Sequence, residues 1–203
     1  MPVNGDSRHT PRRTQAERSE TTRTALMAAA RTLFTERGYA GAGREEIVAR
    51  AGVTRGAMYH HFANKLDLFR AVVEALEQEV MGAVATAATT GTDPKHMLLL
   101  GCHAFLDRAT DPDVRRILLL DAPSVLGWAE WRQLEATYAL GLTKEVLTHA
   151  MEAGQVTPQP VDPLAHMLLA ALNEAALLVA QSDDPVQTRQ EVGDAVSRFI
   201  AVL

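Results

Sequence analysis

The side chains best equipped for molecular recognition lie between Gly43 and Lys65. Arg55 carries a planar guanidinium that can donate two parallel hydrogen bonds to O6 and N7 of guanine. Tyr59 and His61 can donate to phosphate oxygens, and Lys65 can do so from a helix N-terminus that itself attracts anions. Gly56 and Ala57 are small enough to let a backbone approach a duplex closely. Arg44 adds a cation at the entrance, read either as a phosphate contact or as a solvated arginine.

Other reactive residues are less well placed. Adjacent histidines such as His60 and His61 point about 100° apart on a helix, so they do not converge on a metal, and no metal site or cofactor is expected. Glu45 and Glu46 read as a solvated face. There is no HExxH, no GxGxxG, no phosphate-binding loop and no Ser or Cys nucleophile with a placed base, so an enzyme is not expected. Cys102 is the single cysteine; it excludes an internal disulfide, reads as a quiet buried thiol and fits a reducing cytoplasm.

A second group consists of polar and aromatic residues inside apolar helical stretches. His103 sits in one, His166, Asn173 and Glu174 in another, and Trp128, Trp131 and Tyr138 along a third. His166 and Asn173, seven apart, fall within about 20° on a helical wheel. Together they could wall a pocket for a small, partly aromatic ligand, with Glu174 favouring a cation. The aromatics read equally as core, and His166 and Asn173 as part of a subunit seam.

The elements that must position these residues are helical. Ala and Leu are abundant, aromatics make up 5% and no strand-like alternation occurs. Leu26, Ala29, Ala30, Leu33 and Phe34 share one face of a helix ending near Gly38. Two short helices follow, Arg44–Ala51 and Arg55–His60, joined by the turn Gly52-Val53 and capped by Thr54. Asn64 caps a longer helix with Leu66, Phe69, Val73, Leu76 and Val80 inward, and 83–92 reads as a break. Asp-Pro pairs at 93, 111, 162 and 184 predict helices over 94–108, 112–120, 126–153, 163–181 and 185–202, with aspartate caps and proline at the first position.

The helix over 163–181 is apolar on two sides, which predicts two partners: its own domain and a second subunit. Its broken apolar run argues against a membrane span. Leu169 and Leu177, with Val192, Val196 and Phe199 of the last helix, are the candidate dimer interface. The organisation predicted is a disordered basic arm at 1–15, a DNA-binding domain at 16–80 and a ligand-binding and dimerisation domain at 81–203. The arm can follow a DNA groove or be inert. Net charge is −5, but residues 1–70 hold 12 Lys+Arg against 7 Asp+Glu, while the rest hold 8 against 18. A basic head on an acidic body suits a protein that docks nucleic acid by one end.

The stretch from Glu20 to about Val80 resembles the DNA-binding domain of the TetR/AcrR (tetracycline repressor-like) family. The matching residues are Leu33-Phe34, Arg37-Gly38-Tyr39, Ile47, Ala51-Gly52-Val53, Tyr59-His60-His61-Phe62, and Lys65 with Leu68-Phe69. The resemblance implies an all-α homodimer of about nine helices per chain, with an N-terminal three-helix helix-turn-helix domain and a C-terminal ligand-binding and dimerisation domain. It further implies a repressor released from a palindromic operator by a small molecule; the alternatives are an activator or a ligand-independent regulator of the same fold and, remotely, a helical enzyme. By position, Arg44, Thr54, Arg55, Gly56, Ala57, Tyr59, His61 and Lys65 correspond to DNA-contacting places. Ala42 and Gly43 depart from the pattern, standing where a hydroxyl usually caps the first short helix. Arg44 is then expected to replace the lost hydroxyl contact. Val48 stands where Ala is common.

Overall fold

The structure, a computed structural model, describes residues 14–203, so most of the expected arm at 1–15 lies outside the described residues. Its last two positions belong to a helix instead: Thr14 is a cap and Gln15 the first helical residue. Among the described residues there are nine helices and no strand. They are α1 (Gln15–Gly41), α2 (Arg44–Ala51), α3 (Arg55–His61), α4 (Lys65–Ala88), α5 (Pro94–Arg108), α6 (112–125), α7 (128–152), α8 (Val161–Gln181) and α9 (Pro185–Ala201). Helices α6 and α7 each contain a wider, π-type stretch, at Val114–Asp121 and Ala136–Leu140, through which the chain stays helical.

Local chemistry accounts for most of the boundaries. Thr14 and Glu17 form a reciprocal capping box. Thr54 Oγ1 accepts from the Ala57 amide at 3.2 Å, and Asn64 Oδ1 from the Asp67 amide at 2.9 Å. Asp93 and Asp184 cap as expected, accepting from the His96 and Gln187 amides. The other two Asp-Pro sites differ. Asp162 already lies inside α8, which starts at Val161, and it pairs with Lys144; Asp111 pairs with Arg108 at 2.5 Å. A cation within reach competes for the carboxylate that would otherwise cap. The long helix expected over 126–153 begins only at Trp128, because Gly127 takes φ 84°.

Two apolar clusters hold the chain together. The first unites the inward faces of α1 to α4, including Leu26, Leu33, Phe34, Ile47, Met58, Phe62 and Phe69, with Ile117, Leu118 and Ala122 of α6 and Trp131 of α7. Each fully buried Leu or Phe contributes roughly 1.5–3 kcal/mol. The second cluster joins α5, α7, α8 and α9 around Leu106, Leu147, Leu168 and Ala176. Helix α4 runs unbroken to Ala88, so the break expected over 83–92 is confined to the residues after it. The small residues of 83–88 are used for packing: Val84 and Ala88 are buried, and both lie near Gly101 of α5, where a side chain would meet them.

Candidate nucleic-acid interface and interior cavity

Helices α2 and α3 form a helix-turn-helix. Gly52, at φ 66°, lets the chain reverse, Ile47 and Met58 anchor the two helices in the first core, and Phe62 ends α3. This leaves Thr54, Arg55, Gly56, Tyr59 and His60 exposed on one surface, with Ala57 and His61 half-buried. His61 is thus the more covered of the two histidines. His60 is exposed although the sequence analysis does not place it among the DNA-contacting residues; on a helix that turns 100° per residue, it stands opposite buried Met58 and Phe62.

Gly43 caps α2 through its backbone alone, with no side-chain hydrogen bond. Exposed Arg44 donates from Nη1 to the Tyr59 hydroxyl at 3.2 Å, tying the entrance of α2 to the recognition surface of α3. The Arg55 guanidinium lies 5.9 Å from the Tyr59 ring centroid. Lys65 faces inward more than expected: Nζ donates to the carbonyls of Tyr39 at 2.8 Å and Ala42 at 3.1 Å. It also sits 4.2 Å from the Tyr39 ring centroid, and desolvation together with nearby Arg44 lowers its pKa. Its ammonium therefore holds the end of α1 against the start of α4.

An interior cavity of about 90 Å³ lies between α4, α5, α6, α7 and α8. Its wall is mostly apolar, with Phe105, Leu118, Leu119, Trp131, Leu168 and Leu169 prominent. The polar groups in it are Glu77, Cys102, Glu135, Thr143 and Asn173. Of the residues expected to wall a pocket, Trp131 and Asn173 do so. His166 lines a neighbouring recess that shares Glu135 and Leu169 with the cavity wall. His103 instead bridges α5 to α9, with Nε2 2.8 Å from Ser197 Oγ and Nδ1 3.2 Å from Arg189 Nη2; desolvation and Arg189 lower its pKa. Trp128 is exposed and rests on Trp131, the Tyr138 hydroxyl accepts from Gln78, and Glu174 faces outward.

The acidic residues in the wall are Glu77 and Glu135, and both were legible in principle. Glu77 stands four residues after Val73 and seven before Val84, in the inward stripe of α4, and Glu135 stands four after buried Trp131. A charge interrupting an apolar stripe is the signal. Glu135 accepts from Arg132 Nη1 at 3.0 Å and from Asn173 Nδ2. Burial and the Glu135 charge push the Glu77 carboxyl up to about 7. Burial pushes the Cys102 thiol up to about 12.

Helix α6 faces both regions. Val114, Leu118 and Leu119 line the cavity, while Asp113 and Asp121 reach the head. Asp113 Oδ2 accepts from Arg31 of α1 at 2.6 Å, and Arg31 also pairs with Glu79 at 2.7 Å. Asp121 Oδ2 accepts from the Tyr39 amide at 2.6 Å. Gly38, at φ 69°, leaves room there for the Arg116 guanidinium, which a side chain at that position would strike. Arg70 of α4 is joined to Glu130 of α7.

The residues expected at a subunit interface are divided by the fold. Phe199 is exposed, Leu177 and Val192 pack partly against the second core, Val196 is buried in it, and Leu169 faces the cavity. The uncovered apolar face runs one step round the helices: Met167, Ala171 and Leu178 on α8, and Ala195, Phe199 and Val202 at the end of α9. Helix α8 has the length and composition of a membrane span, but Leu164, Leu168, Leu172, Ala176 and Val179 are buried within the chain.

The model of bacterial regulatory proteins of the tetR family matches residues 26–72, and the tetracyclin repressor-like C-terminal domain matches residues 95–203. The Transposon Tn10 TetC protein of Escherichia coli is 28% identical over 189 residues, covering 93% of this chain and 91% of its own length. The HTH-type transcriptional activator FasR of Mycolicibacterium smegmatis is 39% identical over 82 residues, 40% of this chain and 37% of the activator. Among solved structures, a TetR-family transcriptional regulator from Pectobacterium atrosepticum superposes with a TM-score of 0.79 at 31% identity, over 92% of this chain and 95% of that one.

Proposed function

Because the chain belongs to the TetR family of helix-turn-helix transcriptional regulators, we propose that it acts as a homodimeric repressor released from a palindromic operator when a small molecule enters the cavity. Helix α6 carries this reading, since it lines the cavity with Leu118 and Leu119 and holds the head through Asp113 and Asp121. A ligand that displaces α6 would re-angle α1 and, through it, the helix-turn-helix. Two recognition helices must match half-sites about 34–36 Å apart, so a small rotation at α6 removes binding.

In this reading 16–80 is the DNA-binding unit and 81–203 the ligand-binding and dimerisation unit, with α4 continuous across the boundary. Arg55 reads base edges, and Arg44, Thr54, Tyr59, His61 and the backbone at Gly43, Gly56 and Ala57 follow the phosphates. Lys65 contributes by holding the α1 end in place. The faces of Met167, Leu178, Phe199 and Val202 from two chains form the subunit seam, a four-helix arrangement about a two-fold axis. Such a dimer works in the cytoplasm, where its operator is.

The likeness to an activator over 82 residues favours one second reading: the same fold can serve activation. Footprinting on DNA flanking the gene, with and without candidate small molecules, tests the proposal. A protected palindrome that is released by a ligand supports it, whereas the absence of any protected palindrome refutes it. A reporter that falls on deletion of the gene would assign activation instead.

A further inference from the structure

We propose that the cavity selects small organic cations with an apolar, ring-sized body, whose charge is taken up by the carboxylates of Glu77 and Glu135. This rests on the reading of the cavity as the effector site and names the chemical class that fits it.

Two carboxylates line a mostly apolar cavity, but they are not equally served. Glu135 is partnered by Arg132 and Asn173. Glu77 is not: only burial and repulsion by Glu135 act on it, with no hydrogen bond or cation among the described residues. The other titratable group in the wall, Cys102, is held neutral by burial. The half-buried Glu77 carboxylate faces the cavity without a protein partner, and a ligand ammonium supplies one in a medium that strengthens the contact. An anionic ligand would add a third negative charge to the same space. Trp131 and Phe105 present aromatic surface to the same cavity, which suits a cation or a ring. The cavity is about 90 Å³, smaller than the roughly 150 Å³ of an apolar cavity that holds benzene. A ring therefore requires modest give, for which Met81 and Met97 in the wall are suited.

The test is calorimetric titration of the full chain with three probes of one shape: benzylammonium, benzyl alcohol and benzoate. At about pH 8, above the Glu77 titration, benzylammonium is expected to bind about tenfold tighter than benzyl alcohol, with benzoate weakest. The Glu77→Gln variant should lose most of that preference while keeping its affinity for the alcohol. The wild-type preference should also grow between about pH 6 and 8 as Glu77 ionises, a readout that needs no variant. Binding of benzyl alcohol as tight as that of benzylammonium, or a preference unchanged in Glu77→Gln, overturns the charge inference but leaves the effector reading intact. Failure of all three to bind overturns this proposal; the effector reading falls separately, if no small molecule releases the DNA.

Discussion

In the head, Phe34 and Phe69 meet edge to face with centroids 5.1 Å apart and Tyr39 closes on Phe69 at 4.9 Å, leaving Arg44, Arg55 and Tyr59 outside. In the body the arrangement is inverted. Carboxylates of Glu77 and Glu135 lie in a cavity wall, and Met167, Leu178, Phe199 and Val202 are left on the surface. Opposite tasks explain the inversion. A polyanion is gripped by exposed donors on a frame that does not yield, so the head fills its interior. In the proposed dimer with an effector site, a ligand and a second chain would each need apolar surface not yet covered, and the body leaves some uncovered inside and out.

The largest effects should separate the two regions by packing. Phe69→Ala in the filled head core is expected to cost about 3–5 kcal/mol in urea unfolding. Leu169→Ala, half-buried beside the cavity, should cost under about 2 kcal/mol. Equal losses would erase the contrast.

Next comes the inward charge of the body. Glu77 has a folded-state pKa raised to about 7, above its unfolded value, so its contribution favours folding at low pH and is lost as pH rises through 7. Glu77→Gln should therefore remove up to about 3 kcal/mol of pH-dependent destabilisation between pH 4.5 and 7, less to the extent that the half-buried side chain is still reached by water. Comparing melting curves of wild type and variant at pH 5 and 8 checks this; parallel behaviour would show that Glu77 is solvated.

Effects on the outward charge of the head should be smaller and should appear in DNA binding. Arg55→Ala is expected to weaken operator binding by about 1–3 kcal/mol and relax specificity at one base pair. Arg44→Ala should weaken specific and non-specific DNA alike and lower the salt-dependence slope by about 1. An unchanged slope would make Arg44 only a brace for Tyr59. Smallest in isolation, Asp113→Asn should leave DNA affinity within a few-fold but alter ligand response by about 0.5–2 kcal/mol, measured as the shift in ligand concentration that releases DNA. No shift would uncouple α6 from the head.

The helix-turn-helix was almost wholly legible because its determinants are local: Gly52 for the turn, Thr54 and Asn64 for the caps, and Met58 and Phe62 one turn apart facing in. The helix count was legible for the same reason. The cavity was only partly so. Trp131 and Asn173 are legible by type, whereas the signal for Glu77 and Glu135 is weaker, a single charge interrupting an apolar stripe, and only the neighbouring helix shows that the two face one space. His103, Trp128, Tyr138 and Glu174 looked like pocket residues by type alone, and Arg189, Gln78 or solvent claimed them instead.

By itself the sequence determined the all-helical class, the basic head, the recognition motif and the side-chain caps of α3, α4, α5 and α9, since periodicity, turn residues and charge counts act over a few residues at a time. Only the tertiary structure decided which side of α8 is covered, that Lys65 spends its charge on the end of α1, that Asp162 and Asp111 serve ion pairs rather than caps, and that two glutamates face one cavity. Those outcomes depend on how helices distant in sequence are rotated against one another. A rotation of one residue, about 100°, exchanges a solvated side chain for a buried one.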